Sequence, residues 1–213
     1  MPKVARSEEE INAVRLKMLD EALDLISHHG YEGFSMRKLG QRLGIAAKTI
    51  YNYFKNKDEI YLHVLTRGFE LMYEELTRKS GHIKEPFHRL KAATLAFLDF
   101  GLKKSNYYDI MMTWYVPKQK DYIDTNLEPL ADHELQTALQ IADYIINIFK
   151  DLSEKYGHLD PGNARLLLIR WLVTIHGVIA LYNNTILSYL HEQPEKILKQ
   201  LALDSLLQYR PQR

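Results

Sequence analysis

Apolar positions recur at three- and four-residue steps along almost the whole chain, and no stretch sustains the two-residue alternation of a half-buried strand. The pattern predicts an all-α protein of about nine helices. The first starts at Ser7, which forms a capping-box pattern with Glu10, and carries Ile11, Val14, Met18, Ala22, Leu25 and Ile26 on one face. Gly30 suits the left-handed position that would end it. A second, short helix is expected from an N-cap at Ser35, with Met36, Leu39 and Leu43 facing inward before a sharp turn at Gly44. A third is expected over about Ala47 to Tyr53. A fourth, long and amphipathic, runs over about Lys57 to Lys79 with Ile60, Val64, Phe69, Met72 and Leu76 on its inner face.

Further helices are predicted at about Phe87 to Lys104, Tyr107 to Tyr115 and Pro129 to Tyr156, with a polar link between Lys118 and Asn126 separating the last two. Asp160-Pro161 forms an N-cap and N1 pair for an apolar helix reaching about His191, and Pro194 opens a last helix through Leu207. The apolar run from Leu166 to Tyr182 is shorter than the roughly 20 residues of a membrane span and contains Arg170 and His176, so it is read as a buried helix. No membrane partner is expected. Because the run is apolar nearly all round, it needs cover on both sides. One side would pack on its own domain, and the other, with Leu198, Leu201, Ala202 and Leu206, on a second copy.

Composition narrows the chemistry. With 213 residues, 46% hydrophobic and 26% charged, the chain can build one or two compact domains. The absence of cysteine excludes disulfides, thiolate metal sites and a cysteine nucleophile. The nine histidines show no metal-ligand spacing, there is no phosphate-binding glycine loop, and carboxylate pairs such as Glu74-Glu75 lie in charged amphipathic stretches. No metal, cofactor or catalytic set is therefore expected, and the chain does not read as an enzyme. Its N-terminus lacks the apolar stretch of a secretory signal, so a cytoplasmic location is expected.

Net charge is only +1, but its distribution is uneven. Between Gly33 and Lys57 lie Arg37, Lys38, Arg42, Lys48, Lys55 and Lys57, with no acid. Two short helices joined by a glycine turn have the proportions of a helix-turn-helix, whose second helix enters a DNA major groove. Lys48, Thr49, Tyr51, Asn52 and Tyr53 crowd that helix with groups able to reach bases or phosphates, while Ile50 and Phe54 face inward. Lys57 opposes the positive end of its own helix dipole, so an external phosphate suits it.

The run Ser35-Met36-Arg37-Lys38-Leu39-Gly40-Gln41-Arg42-Leu43-Gly44-Ile45, followed by Lys48-Thr49-Ile50-Tyr51-Asn52-Tyr53-Phe54-Lys55-Asn56-Lys57-Asp58-Glu59-Ile60, resembles the TetR family of one-component bacterial regulators. The likeness covers about residues 10 to 65. It implies a helix-turn-helix DNA-binding domain over residues 1–56 and a larger helical ligand-binding and dimerisation domain over 57–213. The implied function is a homodimeric repressor that reads a palindromic operator on double-stranded DNA and is released by a small-molecule effector. The resemblance makes Ala47, Lys48 and Thr49 candidates for base contact, and Ser35, Arg37, Tyr51, Tyr53 and Lys57 candidates for phosphate contact. It also implies a dimer through the Leu166–Leu190 and Ile197–Leu207 helices.

Two positions depart from the family pattern. Ala46 stands where a serine or threonine often caps the third helix, and Gly40 stands where alanine is common. A glycine inside a helix costs about 1 kcal/mol relative to alanine unless close packing requires it. For the effector, the aromatic and methionine-rich set Phe69, Met72, Tyr73, Phe97, Tyr108, Met111, Met112, Tyr115, Tyr144, Ile148, Trp171, Ile175 and His176 is the expected pocket, suited to an apolar or aromatic ligand. Core packing accounts for the same residues. The competing functions are a helical small-molecule binding or sequestering protein with a vestigial helix-turn-helix, and a non-specific DNA-compacting protein. Arg37, Lys48, Tyr51 and Lys57 favour specific binding over both.

Overall fold

The computed structural model describes residues 7–112, 116–157 and 159–210. Among them are ten α-helices and no strand: α1 (Glu8–Gly33), α2 (Met36–Leu43), α3 (Ala47–Ile50), α4 (Lys57–Ser80), α5 (Pro86–Lys103), α6 (Ser105–Met112), α7 (Glu128–Tyr156), α8 (Ala164–Asn183), α9 (Ile186–Leu190) and α10 (Pro194–Asp204). Short 3-10 turns occupy Gln119–Tyr122, Pro161–Asn163 and Leu207–Tyr209. The tenth helix arises because the long apolar stretch breaks after Asn183, where Thr185 takes φ 61°, leaving α9 as a separate turn.

The local signals act as the pattern predicts at most helix ends. Ser7 and Glu10 form the reciprocal capping box, and the Ser35 hydroxyl accepts the Lys38 amide at 3.3 Å. Gly44 ends α2 in the left-handed region at φ 67°. Gly30, at φ 70°, interrupts α1, which resumes for one turn to Gly33. The Asp160 carboxylate caps a 3-10 turn, accepting the Gly162 amide at 2.9 Å, so α8 begins only at Ala164.

Gly40 has a specific steric reason. A Cβ built there lies 2.8 Å from the Ile45 carbonyl oxygen and 3.1 Å from the Ala47 nitrogen, both backbone atoms of the turn between α2 and α3. The turn is drawn onto this glycine by the Ile45 amide, which donates to the Gly40 carbonyl at 2.9 Å. The helix-propensity expectation therefore reverses sign. Gly40→Ala should destabilise the protein by about 1–3 kcal/mol, the range for overpacking a close contact. Urea unfolding followed by circular dichroism measures it; equal or greater stability would refute the steric assignment.

The chain groups into two compact units, one of Met1–Gly68 with Asp109–Leu135 and the other of Phe69–Tyr108 with Gln136–Arg213. In the first, Met18, Ala22, Ile26, Phe34, Leu39, Ile50, Phe54, Ile60 and Val64 are buried. Arg15 joins α1 to the end of the helix-turn-helix: its guanidinium donates to the Tyr53 carbonyl at 2.6 Å and lies 4.3 Å from the centre of the Phe54 ring. The segment between Lys118 and Asn126, which the pattern treats as a polar separator, belongs to this unit. Tyr122 is buried in one apolar cluster with Leu62, Leu127 and Ala131.

In the second unit α8 packs against α5 and α10. Ala164, Leu167, Trp171, Ile175, Val178 and Ile179 form its buried face, and the Trp171 indole donates to Thr94 Oγ1 at 2.8 Å. The expected burial of α8 is met on this face alone. Leu166, Ile169, Val173 and Leu181 remain exposed, Ile169 by 55% and Val173 by 65%. At 20 residues α8 is long and apolar enough by composition to cross a membrane, although only a third of its most apolar stretch is buried. The expectation for the last helix needs correction. Leu198, Ala202 and Leu206 are buried within this unit, where α10 packs on α5 and α8, so of the four residues assigned to a second copy only Leu201 stays exposed.

Candidate nucleic-acid interface

The helix-turn-helix presents its polar groups on one surface because its apolar ones are consumed inward. Met36, Leu39 and Ile50 are buried, and this burial turns Arg37, Lys48 and Tyr51 outward. α3 is short by strict helical geometry, but its turn continues: the amides of Tyr53 and Phe54 both donate to the Ile50 carbonyl, at 2.8 and 3.0 Å. The recognition element thus extends from Ala47 to Phe54. Ala46 opens it without a side-chain acceptor, leaving its first amides available to an external oxygen.

The eight residues expected to contact DNA all lie in the first unit, from the cap of α2 to the first turn of α4. Ser35 accepts the Lys38 amide through its hydroxyl oxygen and retains the hydroxyl proton as a donor. Arg37 and Lys48 are exposed, Ala47, Thr49 and Tyr53 are half-buried, and Tyr51 is 53% exposed. Lys57 opens α4 with its ammonium 4.1 Å from the centre of the Tyr31 ring and 3.8 Å from a Glu32 carboxylate oxygen.

The basic block is not uniformly available. Arg42 is held by Glu21 and Asp24 of α1, and the Lys38 ammonium donates to the Gly33 carbonyl at 2.7 Å. Arg37, Lys48 and Lys55 form no ion pair among the described residues. Pairing thus removes Arg42 from the anion-binding surface and leaves a narrower set around α3. The carboxylates responsible lie outside the block that the local charge count surveys.

Behind this surface, the Tyr31 hydroxyl donates to Asp58, and the Tyr31 ring meets Tyr61 edge-on at 4.9 Å. Burial raises the phenol pKa values of Tyr31, Tyr61 and Tyr122. Glu134 is only 8% exposed, and burial pushes its carboxyl up to about 7, against a smaller downward pull from Lys118. The folded state therefore holds the Glu134 proton more tightly than the unfolded state. Its contribution to stability is complete below the ordinary value of 4.5 and is lost as pH rises toward 7. Glu134→Gln should remove a downward slope of up to about 1.4 kcal/mol per pH unit in that window. Urea titrations at pH 5, 6 and 7.5 read the difference, and parallel wild-type and variant profiles would refute it.

The residues expected to line an effector pocket divide. Phe97 stands between Trp171, at 5.1 Å, and Tyr108, at 6.0 Å, and the Tyr108 hydroxyl pairs with His176 Nδ1 at 2.9 Å. Tyr73 and Tyr144 meet edge-on at 6.2 Å. Phe69, Met72, Ile148 and Ile175 are buried in the same unit, whereas Met111 and Met112 group with the first unit. Tyr115 lies outside the described residues, as does the neighbouring Trp114. Two clefts of about 580 and 480 Å³ in the second unit have other linings, the larger including Phe87, His88, Tyr156 and Arg210.

Sequence reasoning missed three contributors: Arg15, the Tyr31–Glu32 seat of Lys57, and the Tyr122 segment. Each depends on residues distant in the chain. The apolar positions Tyr122, Leu127 and Ala131 were the available signal for the last of them.

Comparison with known proteins agrees with the geometry. Residues 18–64 match the family described as bacterial regulatory proteins, tetR family. The chain is 24% identical over 155 residues to the HTH-type transcriptional activator FasR of Mycolicibacterium smegmatis, covering 73% of this chain and 65% of that protein. It is 33% identical over 70 residues to a fatty acid metabolism regulator protein of Bacillus subtilis, covering 33% and 34% of the two chains. The chain thus spans less than two thirds of these relatives. The fold of the fatty acid degradation regulator FadR from Bacillus halodurans superposes with a TM-score of 0.67 at 16% identity, covering 98% of this chain and all of that one. Residues 18–64 thus match the DNA-binding region of the tetR family of bacterial regulatory proteins, and the remainder of the chain shares the fold of solved helical regulators.

Proposed function

We propose that the protein is a homodimeric, sequence-specific DNA-binding regulator that acts in the cytoplasm as a repressor and is released from a palindromic operator by a small-molecule effector. The observation carrying this reading is the exposed set of Arg37 and Lys48, without an ion pair among the described residues, beside Tyr51 on a helix-turn-helix that buries Met36, Leu39, Ile50 and Phe54 in its own core. The reading keeps residues 1–56 as the DNA-binding domain and 57–213 as the ligand-binding and dimerisation domain.

The exposed stripe of α8 supports the dimer. Leu166, Ile169, Val173 and Leu181 recur at three- or four-residue steps or multiples of them, with Gly177 on the same line. A Cβ at Gly177 would meet nothing of its own chain within 4 Å, so the fold does not require glycine there. Close approach by a second α8 would require it. An isologous pairing of this face covers the apolar stripe without a membrane.

An apolar or aromatic effector is supported by the Phe97, Tyr108, Trp171 and His176 cluster, which offers ring surface with one polar pair. The B. subtilis and B. halodurans names, which refer to fatty acid metabolism and degradation, agree with an apolar compound. The effector would act by preferring a dimer whose recognition helices no longer match successive major grooves, in proportion to its differential affinity for the two states.

Selection from a randomised duplex library, followed by affinity for the enriched site and for scrambled DNA, tests the reading. An enriched palindrome with a specificity ratio of at least about 10³ is expected. Binding without enrichment would indicate compaction, and ligand binding without duplex binding would indicate sequestration.

A further inference from the structure

The segment that opens with Lys118 belongs to the first unit, and it brings two further cations to the helix-turn-helix. A cleft of about 340 Å³ is lined by Tyr31, Glu32, Val116, Lys118, Lys120 and Asp121, among others. Tyr31 and Glu32 are the residues that seat Lys57. Lys118 and Lys120 thus line a cleft together with the tyrosine–glutamate pair that seats Lys57, some sixty residues away in sequence.

The two acids that line the cleft are already engaged. Asp121 accepts the Lys118 backbone amide at 2.8 Å, which fixes the 3-10 turn, and Glu32 faces Lys57. Lys118 and Lys120 are both exposed, and neither ammonium lies within ion-pair distance of a carboxylate among the described residues. The buried Tyr122 anchors the turn that carries them, so their backbone positions are held by packing on Leu62. A fixed turn carrying two exposed cations outside ion-pair distance of any described carboxylate, near the seat of Lys57, suits duplex DNA, which presents phosphates in series.

We infer that Lys118 and Lys120 extend the DNA-binding surface beyond the helix-turn-helix, contacting backbone phosphates next to the one taken by Lys57. This rests on the operator-binding reading above. Such contacts position the protein and strengthen binding to any sequence, while base recognition stays with α3.

The salt dependence of duplex binding tests the inference in the full chain. Each phosphate contact contributes about 0.9 to the slope of log affinity against log salt, so Lys118→Ala/Lys120→Ala should lower the slope by about 1.8 per protomer, or about 3.6 for a dimer on the palindrome. Between about 50 and 200 mM salt, the dimeric variant should lose roughly a hundredfold less affinity than the unsubstituted protein. Its weakening should be equal on enriched and scrambled duplexes, and Lys118→Arg/Lys120→Arg should restore the slope. Lys84→Ala/Lys150→Ala, two exposed lysines of the second unit, should leave it unchanged. An unaltered slope in the Lys118/Lys120 variant, with normal binding by the unsubstituted protein, would overturn this inference alone. Failure of the unsubstituted protein to bind any duplex would overturn the operator reading and this inference with it.

Discussion

Replacing Tyr51 and Lys57 together with alanine is expected to lower operator affinity by about 100-fold per half-site at moderate salt while leaving the fold intact. Tyr51 is 53% exposed, so its removal creates no cavity. Lys57 contributes to folding mainly through its seat on the Tyr31 ring, 4.1 Å away, a contact worth about 0.5–1 kcal/mol. Against that small loss stand the two phosphate contacts proposed for each protomer. A charge-assisted bond contributes about 1.5–3 kcal/mol and a neutral hydroxyl bond about 1 kcal/mol, which together give the stated factor. The weakening should be similar across operator variants, because neither group reads a base edge. Fluorescence anisotropy with the enriched duplex, alongside thermal unfolding, separates binding from folding. Undiminished affinity in a folded double variant would remove both residues from the contact set.

How much of this was legible in sequence depends on the distance over which each feature is written. Ser7, Ser35 and Gly44 act on their own helices within four residues, and their caps follow from those residues alone. The recognition helix is legible for the same reason, since Ile50 and Phe54 turn Tyr51 outward. Gly40 shows the limit: propensity marks it as a cost, while the turn backbone that leaves no space for a Cβ appears only once α2 and α3 are packed. Arg42 shows another, because its charge belongs to the basic block in sequence but to Glu21 and Asp24 in space. The Lys118–Asn126 stretch looks like a linker from its polar composition. Its single buried aromatic, Tyr122, outweighs that composition once Leu62 is within reach.

The α8 stripe carries the second large effect. Ile169→Glu/Val173→Glu places two carboxylates on positions that are 55% and 65% exposed in the single chain, so the protomer core is untouched. In the proposed dimer the same positions would face their symmetry mates, and like charges would be desolvated against one another. The variant is expected to sediment as a monomer at concentrations where the unsubstituted protein is dimeric. Affinity for the palindrome should then fall by at least about 100-fold, because the second half-site is no longer reached at high effective concentration. Binding to an isolated half-site should change little. A protomer that cannot persist without its partner would instead unfold, and Gly177→Leu resolves that case. A Cβ at Gly177 meets no heavy atom within 4 Å beyond its own helix's local backbone, so the added side chain starts in open space, and thermal unfolding of the variant checks that the protomer itself is undisturbed. Dimers of undiminished stability in both variants would move the interface off this face. A folded Gly177→Leu monomer would place the glycine, and with it the close helix contact, at the centre of the assembly.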